Sequence, residues 1–320
     1  MADATRSGAR RGARLLFPTH MIRLLKFLGY LLAVVVAIVL VASIAVYAVS
    51  SSKLKKTHVV SVQPVKIPDD AAALARGRHL AETRGCFECH GKDLGGATVI
   101  NDPAMGLISG PNLTRGEGSP AAKFTDEDFV RAIRHGVAPD GRGLFLMPSA
   151  EFATFSDDDM GALVAYVKSV PPVNRASVPL KFGPVARALL VAGKIRLAAD
   201  EIDHANVQPA KVVPGVTVEY GRYLAVGCTG CHGSNFSGGK IAVGPPDWPP
   251  AANLTPHADG RLSKWTEEDF IRTLRTAKRP DGTELSIVMP RAFGQLNDVE
   301  LKAIWMFLKT LPAAPTGSHP

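Results

Sequence analysis

Cysteine is scarce in this chain of 320 residues: there are four, and all fall in two short phrases, CFECHG at Cys86–Gly91 and CTGCHG at Cys228–Gly233. That scarcity excludes a structural zinc site in each phrase, because zinc wants four protein ligands and each phrase offers two Cys and one His. Excess charge is also missing where it would matter. The formal charge is +8, yet nine basic residues and one acid precede Thr57, and the remaining 28 basic and 28 acidic residues cancel. A nucleic-acid binder carries its positive excess on the folded part, so that class is excluded. Nor does any stretch alternate apolar and polar residues over the length of a strand. The chain reads as helices joined by long loops.

Charge is absent altogether from Phe27 to Ser52, a run of 26 residues dominated by Leu, Val, Ala and Ile. About 20 apolar residues suffice for a helix to cross a membrane. Six basic residues precede the run and three follow it, which predicts a cytoplasmic segment at 1–26, a transmembrane anchor at 27–52 and the rest in the periplasm. The rivals are a cleaved signal peptide, with Val46-Tyr47-Ala48 as its cleavage sequence, and a start at Met21.

The remainder is an internal repeat. GRHLAETRGCFECHGKDLGG from Gly77 aligns with GRYLAVGCTGCHGSNFSGG from Gly221, and PNLT at Pro111 with NLT at Asn253. FTDEDFVRAIRHGVAPDG (Phe124–Gly141) aligns with WTEEDFIRTLRTAKRPDG (Trp265–Gly282), and LMP at Leu146 with VMP at Val288. SDDDMGALVAYVKSVPP (Ser156–Pro172) aligns with NDVELKAIWMFLKTLP (Asn297–Pro312). Two domains of one kind are expected, 66–172 and 211–312, with a one-helix linker at 173–210. Thr125, Thr266, Ser156 and Asn297 each stand three residues before an acid, which predicts four helix N-caps. The loops 91–123 and 233–264 are long for small domains unless something large fills the middle.

Of the chemistries open to CxxCH, a disulfide leaves the adjoining His unexplained, and a thioredoxin-like pair needs a βαβ context that is missing. The c-type haem attachment sequence accounts for every residue. Two thiols add across the vinyl groups of haem, and the next residue, His, coordinates the iron. Cys86, Cys89 and His90 would hold one covalent haem c, and Cys228, Cys231 and His232 a second. A second axial ligand shared by both repeats should recur at one distance. His79, His135, His204 and His257 have no counterparts and read as surface or loop residues; Met105 and Met160 also lack partners. Met147 lies 58 residues after Cys89, and Met289 lies 58 after Cys231, each followed by Pro. A lone Met is ordinarily a core gap-filler, but the paired spacing favours iron ligation by Met147 and Met289. His/Met ligation raises the potential and leaves neither iron an open site, which is the wiring of an electron carrier.

These residues resemble class I cytochromes c over about 66–312. More narrowly, the order GRYLA, CxxCHG, GG, NLT, WTEEDF, MP is similar to the membrane-bound cytochrome subunits of periplasmic dehydrogenases for alcohols, aldehydes and sugar acids. That family typically carries three haem motifs and this sequence two. The resemblance implies a mainly α fold, tandem class I cytochrome c domains behind an N-terminal transmembrane helix. First and last helices would cross, Gly77 meeting Tyr166 and Gly221 meeting Trp305 or Phe307. Asn112 and Asn253 would lie near a propionate or the Met loop, and Arg131, Arg134, Arg272 and Arg275 would pair with propionates or face solvent. The implied function is a single-pass, periplasmic di-haem electron carrier with no catalytic residues of its own. Its partners would be a membrane dehydrogenase, a quinol-oxidising complex or an oxidase. A di-haem peroxidase, which also has two CxxCH motifs, is the rival.

Overall fold

The computed structural model describes residues 19–207, 209–241, 244–245 and 247–318, so residues 1–18 of the expected cytoplasmic segment lie outside it. Helix accounts for 49% and strand for 7%, a mainly α protein. The chain divides into two compact units, Met1–Val49 and Ser50–Pro320. Helix α1 (Thr19–Lys55) contains an 18-residue stretch with a mean hydropathy of 2.9 and is long and apolar enough to cross a membrane.

Within Ser50–Pro320 the repeat is visible as two sets of helices. The first is α2 (Ala71–Thr83), α3 (Cys86–His90), α4 (Asp126–His135), α5 (Ser149–Phe152) and α6 (Asp157–Ser169). Helix α7 (Pro184–Val191) lies in the connecting segment. The second set is α8 (Val218–Ala225), α9 (Thr229–His232), α10 (Glu267–Thr276) and α11 (Asp298–Lys309). The helix starts follow the capping pattern. Thr125 and Asp128, Thr266 and Asp269, and Asn297 and Glu300 form reciprocal capping boxes, and Ser156 caps α6. Each satisfies N–H groups that a helix start leaves without partners.

First and last helices of each set cross at a glycine. A Cβ at Gly77 would stand 2.0 Å from the Ala162 carbonyl oxygen and 2.7 Å from Tyr166 Cβ. At Gly221 the distances are 1.9 Å to the Ala303 oxygen and 2.8 Å to Phe307 Cβ. Phe307, not Trp305, is therefore the aromatic at the second crossing. Trp305 faces the other way and rests on Phe270, ring centroids 5.6 Å apart.

The loop at 91–123 holds strands that the sequence did not suggest. β1 (Ala97–Asp102) and β2 (Gly106–Gly110) form an antiparallel hairpin, and β3 (Lys181–Phe182) adds a third strand to β2. The physical reason for the miss is a register shift between Thr98 and Ile100, which breaks the two-residue period. β3 also ties the connecting segment to the first domain. Beyond it, Ala198 donates its N–H to the Leu144 oxygen at 2.9 Å, and Lys53 Nζ donates to the Leu190 oxygen at 2.9 Å.

The two repeats share one hydrophobic core, with Leu80, Phe155 and Met160 of the first in the same cluster as Tyr223, Leu224 and Leu301 of the second. A polar network crosses the same boundary. Arg76 makes a two-nitrogen pair with Asp159 (2.8 and 2.9 Å) and reaches Glu300 Oε1 at 2.8 Å. His79 Nε2 lies 2.6 Å from Glu300 Oε2, and the Tyr223 hydroxyl donates to Asp159 at 2.7 Å. His79 is thus an interface residue rather than a surface one. Burial alone would push the Glu300 carboxyl up. Hydrogen bonds from His79, Arg76 and the Asn297 N–H outweigh it and hold the group at about 2 instead of 4.5.

Two outcomes follow from this packing. Gly77→Ala and Gly221→Ala should each lower unfolding stability by about 1–3 kcal/mol in urea titrations, the cost of overpacking a close backbone approach. Glu300→Gln should cost about 3 kcal/mol at neutral pH, the scale for breaking a buried pair. Because its folded pKa is the lower one, Glu300 contributes fully above about 4.5 and loses that contribution as pH falls toward 2. The difference in urea midpoint between native protein and Glu300→Gln should therefore shrink between pH 6 and pH 3. A gap that stays constant would rule the network out as its source.

Candidate functional site

Each CxxCH phrase folds as a short helix that ends in its histidine, α3 at His90 and α9 at His232. Both imidazoles are buried, 9% and 7% exposed. His90 Nδ1 lies 2.8 Å from the Pro111 carbonyl oxygen, and His232 Nδ1 lies 2.7 Å from the Ala252 carbonyl oxygen. A carbonyl only accepts, so Nδ1 carries the hydrogen in both and Nε2 is left with its lone pair. Burial lowers both pKa values, more than the carbonyl contacts raise them, so the rings stay neutral. Two neutral imidazoles of fixed tautomer are ready-made iron ligands.

What places those carbonyls is the NLT repeat. Asn112 and Asn253 are buried, 0% and 3% exposed, and directly follow Pro111 and Ala252. Asn112 Oδ1 accepts from the Thr114 N–H (2.9 Å) and hydroxyl (2.8 Å), while Nδ2 donates to the Val173 and Arg175 oxygens at 2.7 and 2.9 Å. Asn253 repeats the pattern with Thr255 and the Ala314 oxygen. These asparagines are internal staples between a loop and the segment after the last helix, and they are not placed as free donors for a propionate. The repeat was visible in the sequence; its partners, being main-chain oxygens far along the chain, were not.

A second duplicated feature surrounds the motifs. Leu94 and Phe236, neither of them glycine, hold φ of +54° and +62°. The backbone there costs about 1–2 kcal/mol and drives both apolar side chains into the core. Leu94 donates its N–H to the Gly91 oxygen and accepts from Leu113, and Phe236 does the same with Gly233 and Leu254.

In the second domain Cys228, Cys231, His232 and Met289 line one cavity of about 340 Å³. In the first, Cys86 and Met147 both rest against the hydrophobic core, and the Met147 backbone is set by Leu146 at φ +59° and by Pro148. Met160 is wholly buried in the core, as a packing residue should be. The four cysteines are unpaired, and burial pushes the Cys86 and Cys228 thiols up to about 12. Among the described residues no three His, Cys, Asp or Glu side chains group as a zinc site would need. An apolar pocket with two thiols, an imidazole lone pair and a thioether fits haem c by its donor set.

The arginines are committed to protein partners. Arg134, 2% exposed, pairs with Asp157 at 3.0 Å and donates to the Phe155 oxygen at 2.8 Å. Arg275 pairs with Asp298 at 2.9 Å, and Arg131 and Arg272 pair with acids of their own helices. His135 corrects another expectation. It is buried at 3% exposure with Nδ1 3.2 Å from His204 Nδ1, not on the surface, and burial beside His204 lowers its pKa to about 4. His257 is a loop residue bound to Asp259 at 2.5 Å.

Residues 72–167 match the family described as cytochrome c oxidase, cbb3-type, subunit III, and residues 218–312 match the cytochrome c family. The chain is a tandem of two cytochrome c domains. Its cofactors are two haem c groups. It is 28% identical over 285 residues to the cytochrome c subunit of alcohol dehydrogenase (quinone) from Gluconobacter oxydans, covering 78% of this chain and 57% of that one. It is 29% identical over 272 residues to the gluconate 2-dehydrogenase cytochrome c subunit of Pantoea cypripedii, covering 76% and 60%. A diheme cytochrome c-type protein of Cereibacter sphaeroides is 26% identical over 268 residues, covering 75% of this chain and 86% of its own length. The chain thus spans under two thirds of the dehydrogenase subunits it resembles.

Mass spectrometry of the denatured chain should exceed the polypeptide mass by two haem groups. Cys228→Ser with Cys231→Ser should remove one of them and leave the other; a bare polypeptide mass would contradict both assignments.

Proposed function

We propose that this protein is a membrane-anchored di-haem electron carrier. It would take electrons from a membrane dehydrogenase or a quinol-oxidising complex and deliver them to a terminal acceptor, with substrate chemistry left to the partner. The observation that carries the reading is the duplicated CxxCH histidine, buried, neutral and holding its Nε2 lone pair free. When bound, each haem c supplies an iron that gains and loses one electron. The chain's own residues do the rest. Cys86 and Cys89, and Cys228 and Cys231, would tether the groups. His90 and His232 would offer Nε2 to the iron, kept in that tautomer by Pro111 and Ala252. Met147 and Met289 would each offer a thioether, which favours the ferrous state. The names of the relatives, cytochrome subunits of alcohol and gluconate dehydrogenases, support a dehydrogenase as donor. Basic residues on both sides of the apolar run support an inner-membrane anchor with the haem domains in the periplasm. No observation favours the di-haem peroxidase.

Redox titration followed by spectroscopy tests the ligands. Met147→His should keep the first haem low-spin and lower its potential, and Met289→His should do the same to the second, because imidazole lacks the preference of a thioether for ferrous iron. Potentials that stay in place in both variants would move the ligation elsewhere. Topology has its own check. Protease added outside spheroplasts should release a soluble haem-bearing fragment beginning near residues 51–65, and a protected fragment would reverse the orientation.

A further inference from the structure

The cavity that holds Cys228, Cys231, His232 and Met289 is not built by the second domain alone. Arg84, Gly85, Glu88 and Glu151 of the first domain also line it. Arg84 stands two residues before Cys86, just past the end of α2. Its Nη1 crosses to the Leu224 carbonyl oxygen at 3.0 Å, and its guanidinium carbon lies 5.4 Å from the centre of the Phe155 ring. The other two nitrogens, Nε and Nη2, are buried without a hydrogen-bond partner. A guanidinium does not lose its charge, so a cation with two unsatisfied donors sits desolvated at this cavity. Such a group costs free energy and calls for a reason.

The second motif is shaped to admit it. A Cβ at Gly227 would stand 3.0 Å from Arg84 Nη1, and one at Gly230 would stand 2.9 Å from Glu151 Oε1. The repeat offers a control, because Val226 takes the place of Arg84 in the second domain, two residues before Cys228. Residues needed by any one domain of this kind recur in both copies: His90 and His232, Asn112 and Asn253, Gly77 and Gly221. Arg84 does not recur, so its task belongs to the pair of domains.

We propose that Arg84 is a positioning residue that the first domain lends to the second haem site, where its fixed positive charge raises the reduction potential. A cation in a low-dielectric wall disfavours the more positive, ferric form of a neighbouring iron. Phe155 and the Leu224 carbonyl hold the group in place. Glu88 and Glu151, the acids on the same wall, form no ion pair with Arg84 within 4.0 Å among the described residues, although Arg84 and Glu151 attract each other across the cavity. The second domain on its own would lack this term, and the potential of its haem would become a property of the assembled pair.

The inference rests on a haem bound at Cys228–His232, and the experiment separates the two claims. In redox titrations of the full chain, the second haem is identified as the wave lost in the Cys228→Ser, Cys231→Ser variant; if that variant loses no wave, the haem assignment fails and not the role of Arg84. Arg84→Gln should move that wave to lower potential by more than it moves the other. Arg84→Lys, which keeps the charge, should stay near the native position. Haem content and low-spin spectra show which variants remain folded. Gly227→Ala, whose methyl group would displace the guanidinium, gives an independent variant and should lower the same wave. The proposal is overturned if Arg84→Gln and Arg84→Lys shift the wave equally, since that pattern means packing, or if Arg84→Gln leaves it unmoved while the chain is folded.

Discussion

A hydrogen bond from a buried imidazole to a main-chain carbonyl, made twice, is the contact on which the rest of this protein depends. It selects the tautomer, fixes the ring plane and leaves one lone pair free, which at His232 belongs to a ring lining the cavity shared with Met289. The carbonyl can serve only if its loop is rigid. That rigidity comes from Asn112 and Asn253, which close a tight turn on one side and grip the chain beyond the last helix on the other. The last helix is in turn clamped to the first at Gly77 and Gly221. Helix crossing, staple, carbonyl and imidazole thus form one continuous chain of contacts in each domain.

Contacts between the domains do a different job. Arg76 and His79 of the first domain, Tyr220 and Tyr223 at the equivalent positions of the second, and the matched acids Asp159 and Glu300 join the two domains through buried, charge-assisted hydrogen bonds. Such a network is a weak source of net stability compared with an apolar core. Its value lies in geometry, because an Arg held by two carboxylates fixes the angle between the helices that carry them. Two redox sites in one chain need a constant separation, and this network, with the shared core around Tyr223 and Leu224, supplies it.

Much of the local structure was legible in the sequence because its causes are local. A capping residue three positions before an acid, a glycine where two helices touch, and a Cys-x-x-Cys-His phrase each act over a few residues. The hairpin at Ala97–Gly110 was not legible, since its bulge erases the alternation that marks a strand. The partners of Asn112 were not legible, because the groups its side-chain amide bonds lie some sixty residues away and are backbone oxygens without identity in a sequence. His135 read as a surface residue because its burial depends on His204, far along the connecting segment. Arg84 carried a signal that could have been used, the mismatch with Val226 in an otherwise faithful repeat.

The proposed carrier role requires that both irons be closed by the chain's own side chains. Carbon monoxide added to the fully reduced, folded protein tests it most directly. The account predicts that neither haem binds the gas rapidly or in stoichiometric amount, and that both keep their low-spin spectra. Prompt one-to-one binding at either haem would reveal an open coordination position and contradict it.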